Sequence, residues 1–380
     1  MLDQRTGSHP PAPIPVLPLK GRNGAIFLIR RSPGEWWGSA ETGHVRGLSQ
    51  TGRSDPETFI ASHPELVCQN EQRLLNGVGA AGFRGAAAVP QADLHIHAIG
   101  GGDREFLRAA TGVDIAPVER VLRSMAEMHD FVDEKLAGLF SEPSGRALAY
   151  HATFAQARKD GVTRLEIGED AWAITLHEGS AHAVWTMLSE AHRSRAPNID
   201  WTPQLGISRH CPVEAVERWI EPFLELGVFE TLDLSGDEFA QPVEVFAPVF
   251  RRAKRAGLRL KAHVGEWGTA GDVWRAVEVL ELEEIQHGIA ASVSLPVMRA
   301  LANANVRLNI CPTSNVKLGR IKSLAAHPIR ALFDAGVRVT INTDDPLIFG
   351  TTLSEEFLAV FETGLMTAAE LDAIRLEALS

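Results

Sequence analysis

From Ala92 onward the chain repeats one pattern: a run rich in Val, Ile and Leu that ends in polar residues, then an amphipathic stretch. The runs Ala92–His97, Thr163–Glu169, Asp200–Ser208, Phe229–Ser235, Leu258–Val264, Glu284–His287, Val306–Cys311 and Val337–Thr343 are expected strands. The stretches Arg146–Asp160, Ala181–Ser194, Val213–Leu226, Val243–Ala256, Asp272–Leu280, Leu295–Ala304 and Pro328–Ala335 are expected helices. Gly161, Gly227, Gly257 and Gly336 each separate a helix from the next strand, where a left-handed cap costs glycine little. Eight strand-then-helix units require parallel pairing through right-handed crossovers. Eight is also the number that closes an α/β barrel, so a (β/α)8 TIM barrel is the expected fold. A doubly wound open sheet is disfavoured because no strand runs into a Gly-x-Gly-x-x-Gly turn. The barrel carries a geometric consequence: its chemistry belongs at the C-terminal ends of the strands.

Residues 1–90 have a different character and are expected to form an N-terminal extension or small cap. His9–Pro15 is proline-rich, Gly24–Arg30 reads as one short strand, and Ser32–Gly38 and the Gly/Ala-rich Gly77–Ala88 read as loops and connectors. Residues 91–380 are the expected barrel, which ends soon after a helix expected over Thr367–Leu379 and so would lack its last C-terminal helices. With 45% hydrophobic and 22% charged residues in a chain of 380, a full core can be buried. A net charge of −11 argues against a nucleic-acid backbone or an anionic membrane as the main partner. The basic cluster Arg251-Arg252-Ala253-Lys254-Arg255 reads as the solvated face of a helix. Three widely spaced cysteines, Cys68, Cys211 and Cys311, suit neither a disulfide framework nor a thiolate zinc site. A cytoplasmic, reducing location is expected, since no secretory signal or membrane-spanning run is evident.

The strand ends hold the residues with chemistry. In Asp93-Leu94-His95-Ile96-His97 two histidines at i and i+2 share one face. Lys261-Ala262-His263-Val264-Gly265-Glu266 supplies another histidine and an acid, and Gln286-His287-Gly288 a fourth histidine. The last strand runs into Asn342-Thr343-Asp344-Asp345-Pro346, two adjacent carboxylates whose mutual repulsion calls for a compensating cation or proton. A single such histidine is ordinary packing; three strand ends with histidine and a fourth with an acid are not. His95, His97, His263 and Asp344 together offer three nitrogens and one carboxylate, a set that suits zinc better than calcium or magnesium. A water at such an ion reaches a pKa of roughly 7, and Glu266 and His287 remain beside it as acid and base.

These motifs, together with Asp233-Leu234-Ser235-Gly236-Asp237-Glu238 and Cys311-Pro312-Thr313-Ser314-Asn315, make the chain from about Ala92 to its end resemble the adenosine/adenine deaminase group of the amidohydrolase superfamily. The resemblance implies one Zn2+ per chain on His95, His97, His263 and Asp344. It implies Glu266 as the donor to the ring nitrogen beside the attacked carbon, and His287 as the group that orients or deprotonates the attacking water. Asp345 and the backbone of Gly236 would contact other ring nitrogens. The implied reaction is hydrolytic deamination of an amino-purine nucleoside or base. Nucleoside-specific members carry an acid where this chain has Ile99, so ordinary adenosine fits less well than the reaction type. Deamination of another heterocycle, such as a pterin or modified purine nucleoside, is the nearest enzymatic alternative, and a non-catalytic metal-binding barrel the alternative outside catalysis. A binuclear hydrolase with a modified lysine is disfavoured, because Lys261 lies two residues before His263 rather than at a strand end. Cytidine-type zinc deaminases are excluded by the lack of a Pro-Cys-x-x-Cys motif. The segment Glu166-Ile167-Gly168-Glu169-Asp170-Ala171-Trp172 offers acids and an aromatic that could bind an unusual substituent, with a solvated rim and one packed tryptophan as the favoured expectation.

Overall fold

The computed structural model describes Leu28–Ser32, Glu35–Gly38 and residues 89–380. The chain divides into two units, Met1–Ala86 and Ala87–Ser380. In the first, β1 (Leu28–Ser32) pairs antiparallel with β2 (Glu35–Gly38), with Ile29 opposite Trp37 and Arg30 opposite Trp36. This corrects the loop expected over Ser32–Gly38: the Trp-Trp pair suits a pleated strand better than a connector. The proline-rich start, the Gly77–Ala88 connector and Cys68 lie outside the described residues.

In the second unit alternation of polar and apolar residues along each run builds a barrel. Its strands are β3 (Ala92–Asp93), β4 (Arg164–Asp170), β5 (Asp200–Ser208), β6 (Thr231–Ser235), β7 (Arg259–Val264), β8 (Glu284–His287), β9 (Arg307–Ile310) and β10 (Arg338–Ile341). They pair in sequence order and all in parallel. Leu165, Ile167, Leu205, Leu232, Leu234, Leu260, Ile285, Leu308 and Ile341 are fully buried on one face, the layer beneath the helices. Their neighbours on the other face are polar and meet across the lumen. Lys261 pairs with Glu166 and donates to the Leu94 carbonyl at 3.1 Å, and Gln286 reaches Asp233 at 3.3 Å. Lys261 is therefore a fully buried charge in the barrel interior, satisfied by an acid, and not a group at the strand end.

The expected first strand is shortened. Regular pairing stops at Asp93, where the Leu94 N–H turns to the Asn342 side chain at 2.8 Å instead of a strand carbonyl. Pairing resumes at one parallel bridge between Ile96 and Asp344, which closes the barrel. There the Asp344 N–H donates to the His95 carbonyl (2.8 Å) and the His97 N–H to the Asp344 carbonyl (2.9 Å). The helices occur within a few residues of expectation, Val213–Leu226 with the same bounds. The four inter-element glycines take φ between +67° and +91°. Arg251, Lys254 and Arg255 are exposed on the helix Ala247–Arg255 as expected.

Helices at Arg104–Thr111 and Met125–Val132 follow β3 without having been anticipated. Leu107, Leu122, Met128, Leu136 and Phe140 from this stretch form an apolar cluster with Leu347 and Phe349, against which Ile99 and Trp267 pack. The C-terminal helix Ala368–Ala378 carries a capping box at Thr367 and Glu370. Its Ala378 joins Ala92 and Leu94 of the first strand.

Candidate metal centre and active site

The bridge that closes the barrel also folds the site together. It draws His95, His97 and Asp344 to one point, and β7 brings His263 from across the lumen. His95 Nε2 lies 3.0 Å from His263 Nε2, and His97 Nε2 lies 3.2 Å from the same atom. Asp344 Oδ1 stands 3.4 Å from His95 Nε2 and 3.3 Å from His97 Nε2. His95 and His263 are buried, whereas the His97 side chain is about a third exposed. The backbone accepts strain here: the non-glycine residues Asp344 and His287 hold φ of +62° and +64°.

Tautomers explain why the nitrogens converge. His95 Nδ1 faces the Asn309 carbonyl at 3.0 Å, and His263 Nδ1 faces Asp233 Oδ1 at 3.3 Å. A carbonyl and a carboxylate only accept, so each ring carries its proton on Nδ1 and leaves Nε2 bare. Two bare nitrogen lone pairs 3.0 Å apart repel unless a cation sits between them. Ligand atoms about 2.0–2.1 Å from a tetrahedrally held zinc stand about 3.3 Å from one another. The observed separations of 3.0–3.4 Å fit that figure. The four residues therefore fit a metal ion by donor type and spacing.

The surrounding electrostatics point the same way. Burial works against ionisation of Asp344, yet His95, His97 and His287 hold its carboxyl well below the usual range. Burial likewise opposes charge on His97, but Asp345, Asp344 and Asp233 outweigh it and push its proton affinity up to about 10. Without an ion the acids thus draw a proton to this spot. Ser314 Oγ donates to Asp344 Oδ2 at 2.6 Å and orients the carboxylate.

Glu266 and His287 stand on the β7–β8 side. Burial, then Asp344 and Glu238, raise the Glu266 carboxyl well above its ordinary value, which favours its protonated form. Its loop is clamped by the Glu238 carboxylate, which accepts from the N–H groups of Gly265 (2.7 Å), Glu266 (2.9 Å) and Trp267 (2.7 Å). His287 Nε2 lies 3.6 Å from Glu266 Oε1 and 3.9 Å from Asp344 Oδ2; burial, then the neighbouring histidines, keep its ring neutral.

Asp345 turns away from the ion cluster toward Gly100. A Cβ at Gly100 would fall 1.8 Å from Asp345 Oδ1, so glycine there makes room for this carboxylate. Burial, then Asp344, raise the Asp345 carboxyl to about 7. Gly236 follows β6 at φ +89°, packed against Ser208 and His210. A cavity of about 90 Å3 reaches the cluster at His97 and Asp233, bounded by Ile99, Arg146, Tyr150, Glu169, Asp170 and Gln204 among others.

The rim reading of Glu169 is overturned. Its side chain is buried and makes a two-pronged pair with Arg146, whose guanidinium lies over Trp172 at 4.9 Å. A buried arginine on the helix Pro143–Asp160 was the missing partner, and nothing in sequence spacing ties residue 146 to 169. Asp233, Glu238, Ser314 and Asn315 were not singled out for roles either, although all lie within the motifs quoted above. An acid such as Asp233 between Leu232 and Leu234 was the one legible signal, since a carboxylate inside an apolar strand needs a partner.

The family model described as Adenosine deaminase matches residues 145–380. The chain belongs to the adenosine deaminase family. A Treponema pallidum protein provisionally named an adenosine/adenine deaminase is 36% identical over 285 residues, 75% of this chain and 95% of that protein. The crystal structure of an adenine deaminase from Arthrobacter aurescens superposes with a TM-score of 0.66 at 25% identity, covering 76% of this chain and 92% of that one. An amidohydrolase from Burkholderia ambifaria with bound Zn shares the fold, with a TM-score of 0.65 at 20% identity over 77% of this chain and 85% of its own. Within this family the chain is a hydrolytic deaminase acting on C–N bonds, and its barrel and its adenosine/adenine deaminase resemblance stand as expected.

Proposed function

We propose that this deaminase holds one zinc ion on His95, His97, His263 and Asp344 and removes the exocyclic amino group of an aminopurine, the free base in preference to the nucleoside. The observation that carries the reading is the meeting of bare imidazole nitrogens and a carboxyl held well below its ordinary range, beside a second carboxyl raised well above its own. When bound, the ion lowers the proton affinity of a water and readies it for attack. The chain's own residues do the rest. Glu266 holds a proton that it can give to the ring nitrogen next to the attacked carbon, drawing electrons away from that carbon. His287 faces the same space and steers the water. Asp345, with its proton affinity near neutral, and the backbone of Gly236 contact the remaining ring nitrogens. In the net change a C–O bond replaces the C–N bond and ammonia leaves.

The preference for a base rests on Ile99, which lines the cavity where nucleoside-specific members have an acid. A hydroxyl left without a partner against it loses about 1–3 kcal/mol. The Arthrobacter aurescens enzyme of the same fold is an adenine deaminase, which supports the same choice. The test is ammonia release from adenine, adenosine, N6-substituted adenines and amino-pterins by zinc-loaded protein. Adenine is expected to give the highest kcat/KM; ammonia from pterins alone, or from none of the panel, would overturn the reading.

A further inference from the structure

Behind His287 and Glu266 runs a chain of hydrogen bonds whose direction is fixed at its far end. The Ile329 backbone N–H lies 3.2 Å from His327 Nδ1. An N–H can only donate, so His327 Nδ1 accepts and the ring proton sits on Nε2. That Nε2 lies 3.2 Å from Asn315 Oδ1, which therefore accepts. The Asn315 carboxamide is thereby oriented, and its NH2 group faces His287 Nδ1 at 3.2 Å and Glu266 Oε1 at 3.3 Å. Asn315 and His327 are 0% and 2% exposed, so no bulk water competes for these bonds.

We infer that His327 is a positioning residue of the active site, acting through Asn315 to fix His287 with its proton on Nε2 and to hold the Glu266 carboxyl in place. His287 then presents a hydrogen-bond donor to the reaction space. Of its two implied tasks, the network selects orienting the water over removing its proton. Burial lowers the proton affinity of His327 to about 4, so its single N–H is kept throughout the neutral range. His327 touches no reacting atom; its effect passes through two side chains that do or that hold one.

The inference concerns the site proposed above but is read independently of turnover. The experiment uses full-length zinc-loaded protein labelled with 15N-histidine, in wild type, His327→Leu, His327→Gln and Asn315→Asp forms. The His287 signals are identified by their absence from His287→Asn protein. Long-range 1H–15N correlation is expected to show His287 as the Nε2–H tautomer in wild type and in His327→Gln, whose amide can still donate to Asn315. Asn315→Asp is expected to move the proton to Nδ1, because a carboxylate can only accept. With adenine, kcat is expected to fall roughly tenfold in His327→Leu, the effect of one buried hydrogen bond. KM and zinc content should stay within twofold, and His327→Gln should recover most of the loss. An Nδ1–H His287 in wild type would overturn the inference, as would a folded His327→Leu protein with unchanged kcat and tautomer. Equal losses in the Leu and Gln variants, matched by equal losses of thermal stability, would reduce His327 to a structural role and overturn it too. If His327→Leu fails to fold, the wild-type and Asn315→Asp spectra still decide. Absence of deamination with the expected tautomer would sink the proposed substrate and leave the positioning network standing.

Discussion

Glu266 shows how the fold makes an acid out of an ordinary glutamate. Burial and two neighbouring carboxylates raise its carboxyl well above the ordinary value and favour the protonated form, while three N–H bonds to Glu238 fix the loop that carries it. Glu266→Gln keeps the shape and removes the transferable proton. It is expected to lower kcat by about 10²–10⁴, the usual share of a general acid, with zinc content unchanged by elemental analysis. Asp345 depends on a neighbour that has no side chain at all. Gly100→Ala would place a methyl group on its carboxylate. KM for adenine is expected to rise roughly tenfold while zinc stays bound, the loss of about one good hydrogen bond. The proposed metal ligands and acid stood out in the sequence because each is a polar residue at the end of an apolar run. Their supports could not. His327 and Asn315 are 12 residues apart, Glu238 and Gly265 27 apart, and Asp233 and His263 30 apart. The last two pairs meet because the barrel sets the ends of β6 and β7 side by side, and the first because the β9–β10 connection folds back on itself, neither of which local spacing records.

At the level of elements, the seam between β3 and β10 departs furthest from the simple barrel pattern. Side chains replace the backbone ladder there: Asn342 accepts from Leu94, and Thr343 donates to Asp93 at 2.5 Å. The seam opens the ladder where His95, His97 and Asp344 must turn inward. Sequence periodicity located the eight strands but could not show that the first would break off early, because Asp93–His97 keeps its alternation through the break. The loop expected over Ser32–Gly38 holds only as far as the turn residues Pro33 and Gly34, because the aromatic pair after them pairs as a strand. A second junction yields a prediction about pH. Glu356, on the helix Leu353–Glu362, is buried and accepts from the Thr313 N–H at 3.1 Å, next to Ser314, which donates to Asp344. Burial raises its carboxyl from 4.5 to about 8. The folded state therefore holds a proton that the unfolded state releases between those values, so this group's contribution to stability falls as pH rises from 4.5 to 8. Glu356→Gln, neutral at every pH, is expected to raise Tm by several degrees at pH 8 and to change it little at pH 5. Thermal melts at the two pH values check this; an equal shift at both would contradict the assignment.

For the whole molecule, every residue assigned to the site lies in the unit Ala87–Ser380, and the matched family region begins only at residue 145. We propose that residues 1–90 are an extension that takes no part in the chemistry. A chain beginning at Ala87 is expected to fold, bind zinc and deaminate with kcat/KM within about threefold of the full chain, a difference below 1 kcal/mol. Among the described residues no helix is long and apolar enough to cross a membrane. A net charge of −11 disfavours polyanions as general partners. The central claim joins one ion to one reaction, and a zinc titration of metal-stripped protein tests it most directly. Ammonia release from adenine is predicted to be absent without metal, to rise linearly with added zinc and to stop rising at one ion per chain. Full activity in the stripped protein, or a break at two ions per chain, would contradict it.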